Sequence, residues 1–222
     1  MSGFKLAIDG PAGSGKSTIS ARIARKLNWT HIDTGAMYRA VTLKAIELGV
    51  DLEDEHSYHF LESVIVHYDY NKIFVDDRDV TEAIRSDEVT NHVSLVSSFP
   101  YVRRKLVELQ KKAALKGNIV MDGRDIGTVV MPHADLKVFL TANVEERAKR
   151  RYKENIKKGK DQNITKVIED IVVRDQKDST RKESPLRKAD DAIIIDTTYL
   201  TIDEVVDKII ELTDKKENKH GV

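Results

Sequence analysis

The chain has 222 residues, of which 40% are hydrophobic and 33% charged, so it can bury a core and is too apolar to be disordered. The formal net charge is zero, which gives no support for a nucleic-acid or membrane partner, and the absence of cysteine excludes disulfides and cysteine-ligated metal centres. We expect one domain over residues 1–222. Because no apolar run reaches membrane-spanning length and an early strand leaves no room for a signal peptide, we also expect a cytoplasmic protein.

The first motif is a glycine-rich loop between two periodic segments. Residues 10–17 are Gly-Pro-Ala-Gly-Ser-Gly-Lys-Ser, which matches the G-x-x-x-x-G-K-[ST] phosphate-binding loop. The apolar run at 4–9 predicts a strand before the loop, and the spacing of Ile19, Ile23 and Leu27 predicts a helix after it. A turn that merely joins a strand to a helix is the alternative, and the strand–loop–helix setting favours phosphate binding.

The residue types of this loop predict how ATP would be held. Glycine lets successive backbone N–H groups point at one anion, and the helix that follows adds the positive end of its dipole. Lys16 is expected to reach the β- and γ-phosphates, and the Ser17 hydroxyl is expected to hold Mg²⁺. The residues predicted to bind ATP are Gly10, Pro11, Ala12, Gly13, Ser14, Gly15, Lys16, Ser17 and Thr18.

Downstream of the loop, short apolar strands alternate with helices. We predict strands at 4–9, 29–33, 119–122, 136–141 and 192–196. We predict further helices at 34–48, 51–61, 100–116, 144–158, 164–181 and 201–212, with a break at 159–161 and a polar, frayed tail at 214–222. This alternation predicts an α/β fold in which a five-stranded parallel sheet has helices on both faces, and it places ligands beyond the carboxyl ends of the strands.

One stretch has the period of an antiparallel sheet instead. Residues 64–70 and 73–75 are rich in β-branched and aromatic residues, which predicts a hairpin, and residues 76–80 predict a second turn and a third strand. A small unit of this kind inside a β/α alternation indicates an insertion. It is either a structural embellishment or an enlargement of a ligand site.

Arginines recur near the predicted strand ends. The forked guanidinium group matches phosphate oxygens bidentately, and a large set of them suits two phosphorylated ligands that face each other. The Asn-Lys-x-Asp tetrapeptide with which GTPases recognise guanine is absent. The arginines concerned are Arg39, Arg103, Arg124, Arg147, Arg150, Arg151, Arg174 and Arg181.

Three further segments carry a family resemblance. They are Asp-Thr-Gly-Ala-Met-Tyr-Arg at 33–39, Asp-Gly-Arg-Asp-Ile-Gly-Thr-Val-Val at 122–130, and the charged and proline-containing stretch at 174–186. Together with the phosphate-binding loop, they resemble the signature segments of the bacterial cytidylate kinases, in the order of that family. The resemblance implies the three-layer fold of the P-loop NTPases, with the antiparallel insertion (about 34–98, hairpin about 64–80) on the acceptor side and a short lid at about 150–163. It also implies transfer of the γ-phosphoryl group of ATP, with Mg²⁺, to CMP or dCMP.

The resemblance further implies which residues form the site. Arg124 and Arg181 would hold the acceptor phosphate, and Asp178 would approach the pentose hydroxyls. The residues implied to bind CMP are Thr34, Arg39, Ser94, Arg103, Arg124, Asp125, Arg174, Asp178 and Arg181. The residues predicted to be catalytic are Lys16, Arg124, Asp125, Arg147 and Arg151.

Recognition of the base would fall to polar side chains. Ser94, Arg103 and either Asp125 or Arg124 can pair with the N4 donor and the N3 and O2 acceptors of cytosine, and a mismatched base would leave them unpaired. The family commonly has serine where this chain has Thr34, whose hydroxyl can make the same bond while its methyl group tightens the space.

Other interpretations of these charges stay open. Arg174, Asp178 and Arg181 share one helical face, which could equally be a solvated, salt-bridged surface. In the helix at 144–158, the charges could be plain i,i+4 pairs, or Arg147 and Arg151 could reach over ATP as part of a lid. Two groups of residues are expected to have structural roles: His31, His67 and His92 as packed or surface residues rather than metal ligands, and Met37 and Tyr38 as helix packing.

Two other functions also stay open. One is a kinase of the same scaffold that acts on UMP, AMP or shikimate. The other is a nucleotide-dependent switch, which would bind ATP without a second phosphate pocket, and the set of arginines argues against it. We expect small-molecule substrates, no nucleic-acid or membrane partner, and a monomer.

Overall fold

The computed structural model describes residues 3–69, 72–115, 117–157, 159 and 163–220. Its strands are β1 (Lys5–Asp9), β2 (Thr30–Asp33), β3 (Val66–Asp69), β4 (Lys72–Val75), β5 (Arg78–Asp79), β6 (Ile119–Gly123), β7 (Leu136–Thr141) and β8 (Ile193–Asp196). Its α-helices are α1 (Lys16–Leu27), α2 (Thr34–Glu47), α3 (Asp87–Val96), α4 (Pro100–Ala113), α5 (Val144–Lys157), α6 (Ile164–Thr180) and α7 (Ile202–His220).

Five of the strands form the predicted parallel sheet. Its order is β2-β6-β1-β7-β8, and each neighbouring pair is parallel. Alternate residues of the central strand β1 enter different cores: Ala7 packs with the cluster under α2 and α4, whereas Leu6 and Ile8 pack with the cluster under α1 and α7. Burial of both faces explains why this strand is continuously apolar, and it confirms the three-layer α/β fold.

The antiparallel insertion is confirmed as a three-stranded sheet of order β3-β4-β5. Val66 pairs with Val75 across the hairpin, and the turn residues Tyr70 and Asn71 lie outside the described residues. Ile73 and Val75 are buried in the same cluster as Val41 of α2, so the small sheet is fastened to the main domain by apolar packing.

Several predicted boundaries need correction. The segment at 51–61 is a 3₁₀ helix, Glu55–Glu62, and α7 continues to His220 instead of fraying after Leu212. Helix α3 was missing from the prediction, although Ser86 caps it and Val89, Val93 and Val96 have helical spacing. A π-helical turn, Ile126–Val130, follows β6 and was also missed. Of the predicted helix ends and break, Lys116, Lys158, Lys160 and Asp161 lie outside the described residues.

Two predicted helix starts are confirmed by their local chemistry. Pro100 occupies the first turn of α4, where its missing N–H costs no hydrogen bond. Thr201 and Glu204 form a reciprocal capping box, in which the Thr201 N–H donates to Glu204 Oε2 at 2.7 Å and the Glu204 N–H donates to Thr201 Oγ1 at 3.3 Å. Over the described residues, no helix is both long and apolar enough to cross a bilayer.

Candidate active site

The phosphate-binding loop joins the carboxyl end of β1 to the start of α1. Its backbone is left-handed at Gly13 (φ 75°) and Gly15 (φ 90°), which side chains resist. A Cβ atom on Gly10 would lie 2.1 Å from the Leu140 carbonyl oxygen, so the loop also needs glycine for close packing. Gly15 is the N-cap of α1 and makes no side-chain hydrogen bond. The N–H groups of the first helical turn are therefore unpaired hydrogen-bond donors that face the loop.

Lys16 lies inside this loop as a buried cation. Its side chain is 6% exposed, and Nζ donates to the Pro11 carbonyl oxygen at 2.8 Å and to Ser14 Oγ at 3.4 Å. Burial, together with the positive charge of Arg124, holds the pKa of Lys16 well below its usual value. A nearby anion would therefore relieve the cost of burying this charge.

Ser17 faces a carboxylate that the sequence analysis did not single out. Its hydroxyl donates to Asp122 Oδ2 at 2.7 Å, and His31 Nε2 lies 2.6 Å from Asp122 Oδ1. Burial alone would raise the pKa of Asp122, but hydrogen bonds from His31 and Ser17 outweigh it and the pKa is lowered. An ionised carboxylate thus lies beside the loop, and His31 packs against it.

Asp9 fixes the segment that follows β6. Its Oδ1 accepts the N–H of Ile126 at 2.8 Å and its Oδ2 accepts the N–H of Gly127 at 2.7 Å. Burial raises the pKa of Asp9 to about 6, against the opposite effect of these two hydrogen bonds. Through this one carboxylate, the strand that leads into the phosphate-binding loop also sets the position of the π-helical turn after Asp125.

Across the cleft from the loop, Asp125 is buried between two arginines. Arg103 and Asp125 are 2% and 3% exposed, and Arg103 Nη2 donates to Asp125 Oδ2 at 2.7 Å. Arg181 Nη2 lies 3.7 Å from Asp125 Oδ1. The Arg103 guanidinium also stacks over the Tyr38 ring, 5.2 Å from its centroid. Tyr38 is therefore a buried packing residue of α2, as expected, and its ring also contacts Arg103.

A second buried carboxylate, Asp178, organises the remaining arginines. Arg124 Nε donates to Asp178 Oδ2 at 2.8 Å, and Arg181 Nη1 lies 3.4 Å from Asp178 Oδ1. Burial and the charge of Arg124 lower the pKa of Arg174 to about 9. The face of α6 that carries these residues is thus buried in the cleft, and the alternative of a solvated, salt-bridged surface is wrong.

One cleft of about 1150 Å³ brings the loop and the arginines together. The predicted site residues that line it are Ala12, Gly13, Gly15, Lys16, Ser17, Thr18, Thr34, Arg39, Ser94, Arg103, Arg124, Asp125, Arg151, Arg174, Asp178 and Arg181. Gly10, Pro11, Ser14 and Arg147 are not among the residues that line it. Ser94 Oγ and Arg174 Nε are buried without a hydrogen-bond partner among the described residues.

The cleft also contains residues that the sequence analysis missed. Thr90 on α3 accepts a hydrogen bond from Arg39 Nη1 at 3.0 Å, and Thr197 after β8 accepts from Arg150 Nη1 at 3.0 Å. Thr34 donates to the Asp122 carbonyl oxygen at 2.8 Å, so its hydroxyl ties the start of α2 to the end of β6. Asp122 and Thr197 could have been predicted from the sequence, because both lie at the carboxyl end of a parallel strand, where ligands bind in such sheets.

Arg147 occupies a different place from the one expected of a lid residue. It is 5% exposed, Nη1 donates to the Ala12 carbonyl oxygen at 2.9 Å, and Nε donates to the Ala142 carbonyl oxygen at 3.0 Å. The same guanidinium pairs with Asp175 of α6. Arg147 therefore supports the back of the phosphate-binding loop, whereas Arg151 is partly exposed and lines the cleft.

Replacing Arg147 with lysine is expected to lower the free energy of unfolding by about 1–3 kcal/mol, because an ammonium group cannot reproduce the fork that reaches two carbonyls and a carboxylate. Arg151→Lys is the matched control: its ion pair with Glu154 is 3.6 Å long and partly exposed. It should change stability by less than about 0.5 kcal/mol. Urea unfolding of both variants measures this difference, and equal losses would contradict the supporting role of Arg147.

These features define the class of the protein. A phosphate-binding loop at the end of the central strand, opposite an arginine-lined pocket in the same cleft, is the arrangement of a P-loop kinase. The sequence model described as cytidylate kinase matches residues 6–215. The chain belongs to the cytidylate kinase family, and it is accordingly a phosphotransferase of the nucleoside monophosphate kinase class.

Individual relatives agree with this assignment. The chain is 61% identical over 212 residues to the cytidylate kinase of Acholeplasma laidlawii, with 96% of each chain covered. It is 52% identical over 218 residues to that of Bacillus subtilis, covering 96% of this chain and 97% of the relative. A gluconokinase structure from Sinorhizobium meliloti superimposes with a TM-score of 0.50 at 14% identity, over 98% of this chain and 95% of that one. At that identity the gluconokinase supports the fold alone.

Proposed function

We propose that this chain transfers the γ-phosphoryl group of ATP to CMP or dCMP, giving ADP and CDP or dCDP. The observation that carries the proposal is the buried Arg103–Asp125–Arg181 group, which faces the phosphate-binding loop across one cleft. A switch protein needs the loop but not a second charged pocket. The relatives of this chain in Acholeplasma laidlawii and Bacillus subtilis are cytidylate kinases, which supports the choice of acceptor.

On the donor side, we assign ATP to the loop. The N–H groups at the start of α1 and the Lys16 ammonium would contact the β- and γ-phosphates. Because Lys16 is already desolvated, its charge would act on the moving phosphoryl group with little screening.

The residues beside the loop fit Mg²⁺. Among the described residues no cluster of three metal-binding side chains exists, and such a cluster is not needed, since Mg²⁺ binds through one or two protein oxygens together with substrate phosphates and water. Ser17 Oγ and the ionised Asp122 carboxylate supply hard oxygen donors at the loop. When bound there, Mg²⁺ would supply charge neutralisation for the phosphates.

On the acceptor side, we assign the CMP phosphate to the arginines and the base to the deeper pocket. Arg39, Arg124 and Arg181 would hold the phosphate, and Asp178 would approach the pentose, since its carboxylate already orients two of these guanidinium groups. Ser94, Arg103 and Asp125 would pair with the cytosine edge. Their buried polar atoms would be left without partners by a different base, which gives the discrimination.

The catalysis itself then consists of alignment and charge neutralisation. The acceptor phosphate oxygen is already anionic, so no general base is required, and the loose transition state places most charge on the transferred group. We propose that the insertion at about 34–98 and the lid at about 150–163 close over the substrates and exclude water. Lys158 and residues 160–162 of that lid lie outside the described residues. We further propose that the enzyme acts as a cytoplasmic monomer.

A substrate panel tests the proposal. ADP release with MgATP is followed in a coupled assay across CMP, dCMP, UMP, AMP, GMP and shikimate. We expect rapid turnover with CMP and dCMP. With the purine acceptors, kcat/KM should be at least about a hundredfold lower, since the buried side chains that would pair with cytosine would be left without matching partners. Turnover with another acceptor would overturn the specificity assignment, and turnover with none would favour a switch.

A further inference from the structure

Asp175 lies on α6, the helix that carries acceptor-side charges, but its carboxylate reaches the phosphate-binding loop. Its Oδ1 accepts the Ala12 N–H at 3.1 Å, and its Oδ2 pairs with Arg147 Nη1. The same Nη1 donates to the Ala12 carbonyl oxygen at 2.9 Å. One ion pair therefore holds both backbone polar groups of Ala12. The pair is largely buried, since the Asp175 and Arg147 side chains are 20% and 6% exposed.

The contact between Asp175 and Ala12 also bears on Lys16. A peptide group is planar, so the Ala12 N–H and the Pro11 carbonyl group turn together. Asp175 holds the N–H side of this peptide, and Lys16 Nζ donates to its carbonyl oxygen at 2.8 Å. The direction in which the Pro11 oxygen faces Lys16 therefore depends on a side chain of α6.

Among the described residues, apolar packing does not attach α6 to either of the two main cores. Its buried apolar residues, Val167 and Ile171, belong to a separate small cluster between α5 and α6. Polar contacts therefore do much to set the position of α6 against the site. One is the contact of Asp175 with the loop. Another lies three residues further along α6, where Asp178 Oδ2 accepts a 2.8 Å hydrogen bond from Arg124 Nε.

We propose that Asp175 is a positioning residue for phosphoryl transfer: its carboxylate, paired with Arg147, fixes the Pro11–Ala12 peptide beside Lys16 and fastens α6 to the phosphate-binding loop. The proposal rests on the function proposed above. Asp175 does not line the cleft, so its effect must pass through the loop and α6. Transfer requires aligned phosphates, and a displacement of about 1 Å can cost about a hundredfold in rate. Asp175 should therefore affect kcat more than the binding of either substrate.

Two substitutions at this position test the proposal. Asp175→Ala removes both contacts and should lower kcat about ten- to a hundredfold, with KM for ATP and for CMP within about threefold of the wild type. Asp175→Asn keeps an oxygen for the Ala12 N–H but cannot neutralise Arg147, so its loss should be smaller. Binding is measured separately, as the rise in melting temperature that ADP alone or CMP alone produces. Both rises should match those of the wild type.

A double variant and a matched control accompany these measurements. If the ion pair acts as a unit, Asp175→Ala combined with Arg147→Met should lower kcat no further than Asp175→Ala alone. A loss equal to the product of the two single effects would overturn the shared role. Glu169→Gln is the control on α6, because Glu169 is exposed and its pair with Lys166 is 3.7 Å long. It should keep kcat within about twofold.

The positioning role is overturned if kcat at saturating substrates is unchanged in both Asp175 variants. Weaker binding of ADP or CMP with that unchanged kcat would assign Asp175 to ground-state binding instead. If Asp175→Ala unfolds at the assay temperature, Asp175→Asn, which has the same size as the wild-type side chain, is judged by the same criteria. If the wild-type enzyme itself has no turnover with CMP, the proposed function fails, so the two failures are distinguishable.

Discussion

Lys16→Ala should reduce kcat about a thousandfold or more while the protein stays folded, since a preorganised cation is removed from the site where phosphoryl charge develops. The structure explains both halves of this expectation. In the free protein, Lys16 Nζ donates to neutral acceptors, Pro11 O and Ser14 Oγ, and its burial lowers its pKa. Its charge is therefore costly to the free protein and is useful mainly when phosphate is bound.

The measurement is steady-state ADP release together with thermal unfolding. Lys26→Ala is the matched control on the same helix, because Lys26 is about half exposed and pairs with Asp207 at the surface, 2.7 Å away. That variant should keep its kcat within about twofold, as an exposed ion pair contributes little. Retained turnover in Lys16→Ala would remove Lys16 from the catalytic residues. A melting temperature that falls far below that of Lys26→Ala would instead indicate a structural role.

Much of the fold could be predicted because its signals are local. The loop motif requires a strand before it and a helix after it, and both are present as β1 and α1. The central strands were predicted because strands buried on both faces are continuously apolar, as Ile119-Val120-Met121 in β6 illustrates. The edge strand β8 is mostly exposed, and its run of isoleucines alone predicted it. Helix α3 was missed since it is short and its apolar face is a stripe of three valines between two turns.

The site was predictable where a residue belongs to a motif, and it was not where a role depends on distant partners. Asp122 meets Ser17 across 105 positions of sequence, and Asp9 meets Gly127 across 118. No local sequence spacing predicts such pairs. The two partners of each pair come together because β1 and β6 are adjacent strands of the sheet. Arg147 illustrates the converse: its helix was recognised, but the direction of its side chain depends on the packing of α5 beside the loop.

Asp125→Asn should have the second large effect, and it should act on stability and on acceptor use together. The carboxylate lies between Arg103 at 2.7 Å and Arg181 at 3.7 Å, and the arginine side chains are 2% and 5% exposed. An amide would leave two buried guanidinium groups without their shared counter-charge and would point N–H donors at one of them. We expect the free energy of unfolding to fall by about 3–5 kcal/mol.

The same substitution should lower kcat/KM for CMP about a hundredfold or more, with a smaller change in KM for ATP. The reason is that the side chains proposed to pair with the base lose their orientation. The exposed turn residue Asp77 provides the control, and Asp77→Asn should leave both properties unchanged. Unfolding in urea and the CMP kinetics are measured on the same preparations. A stable Asp125→Asn variant with normal CMP kinetics would contradict the central role of this carboxylate.

A double variant separates the two effects. Arg103→Met combined with Asp125→Asn removes charge from both sides of the pair, while Arg181 keeps its contact with Asp178 at 3.4 Å. Since replacing a whole buried ion pair is far less costly than breaking it, the double variant should recover about 2 kcal/mol or more of the stability lost in Asp125→Asn. Its kcat/KM for CMP should not recover, because Arg103 and Asp125 are themselves the side chains proposed to pair with the base. Recovery of CMP turnover along with stability would mean that the pair supports the fold alone, and that acceptor choice is made elsewhere in the cleft.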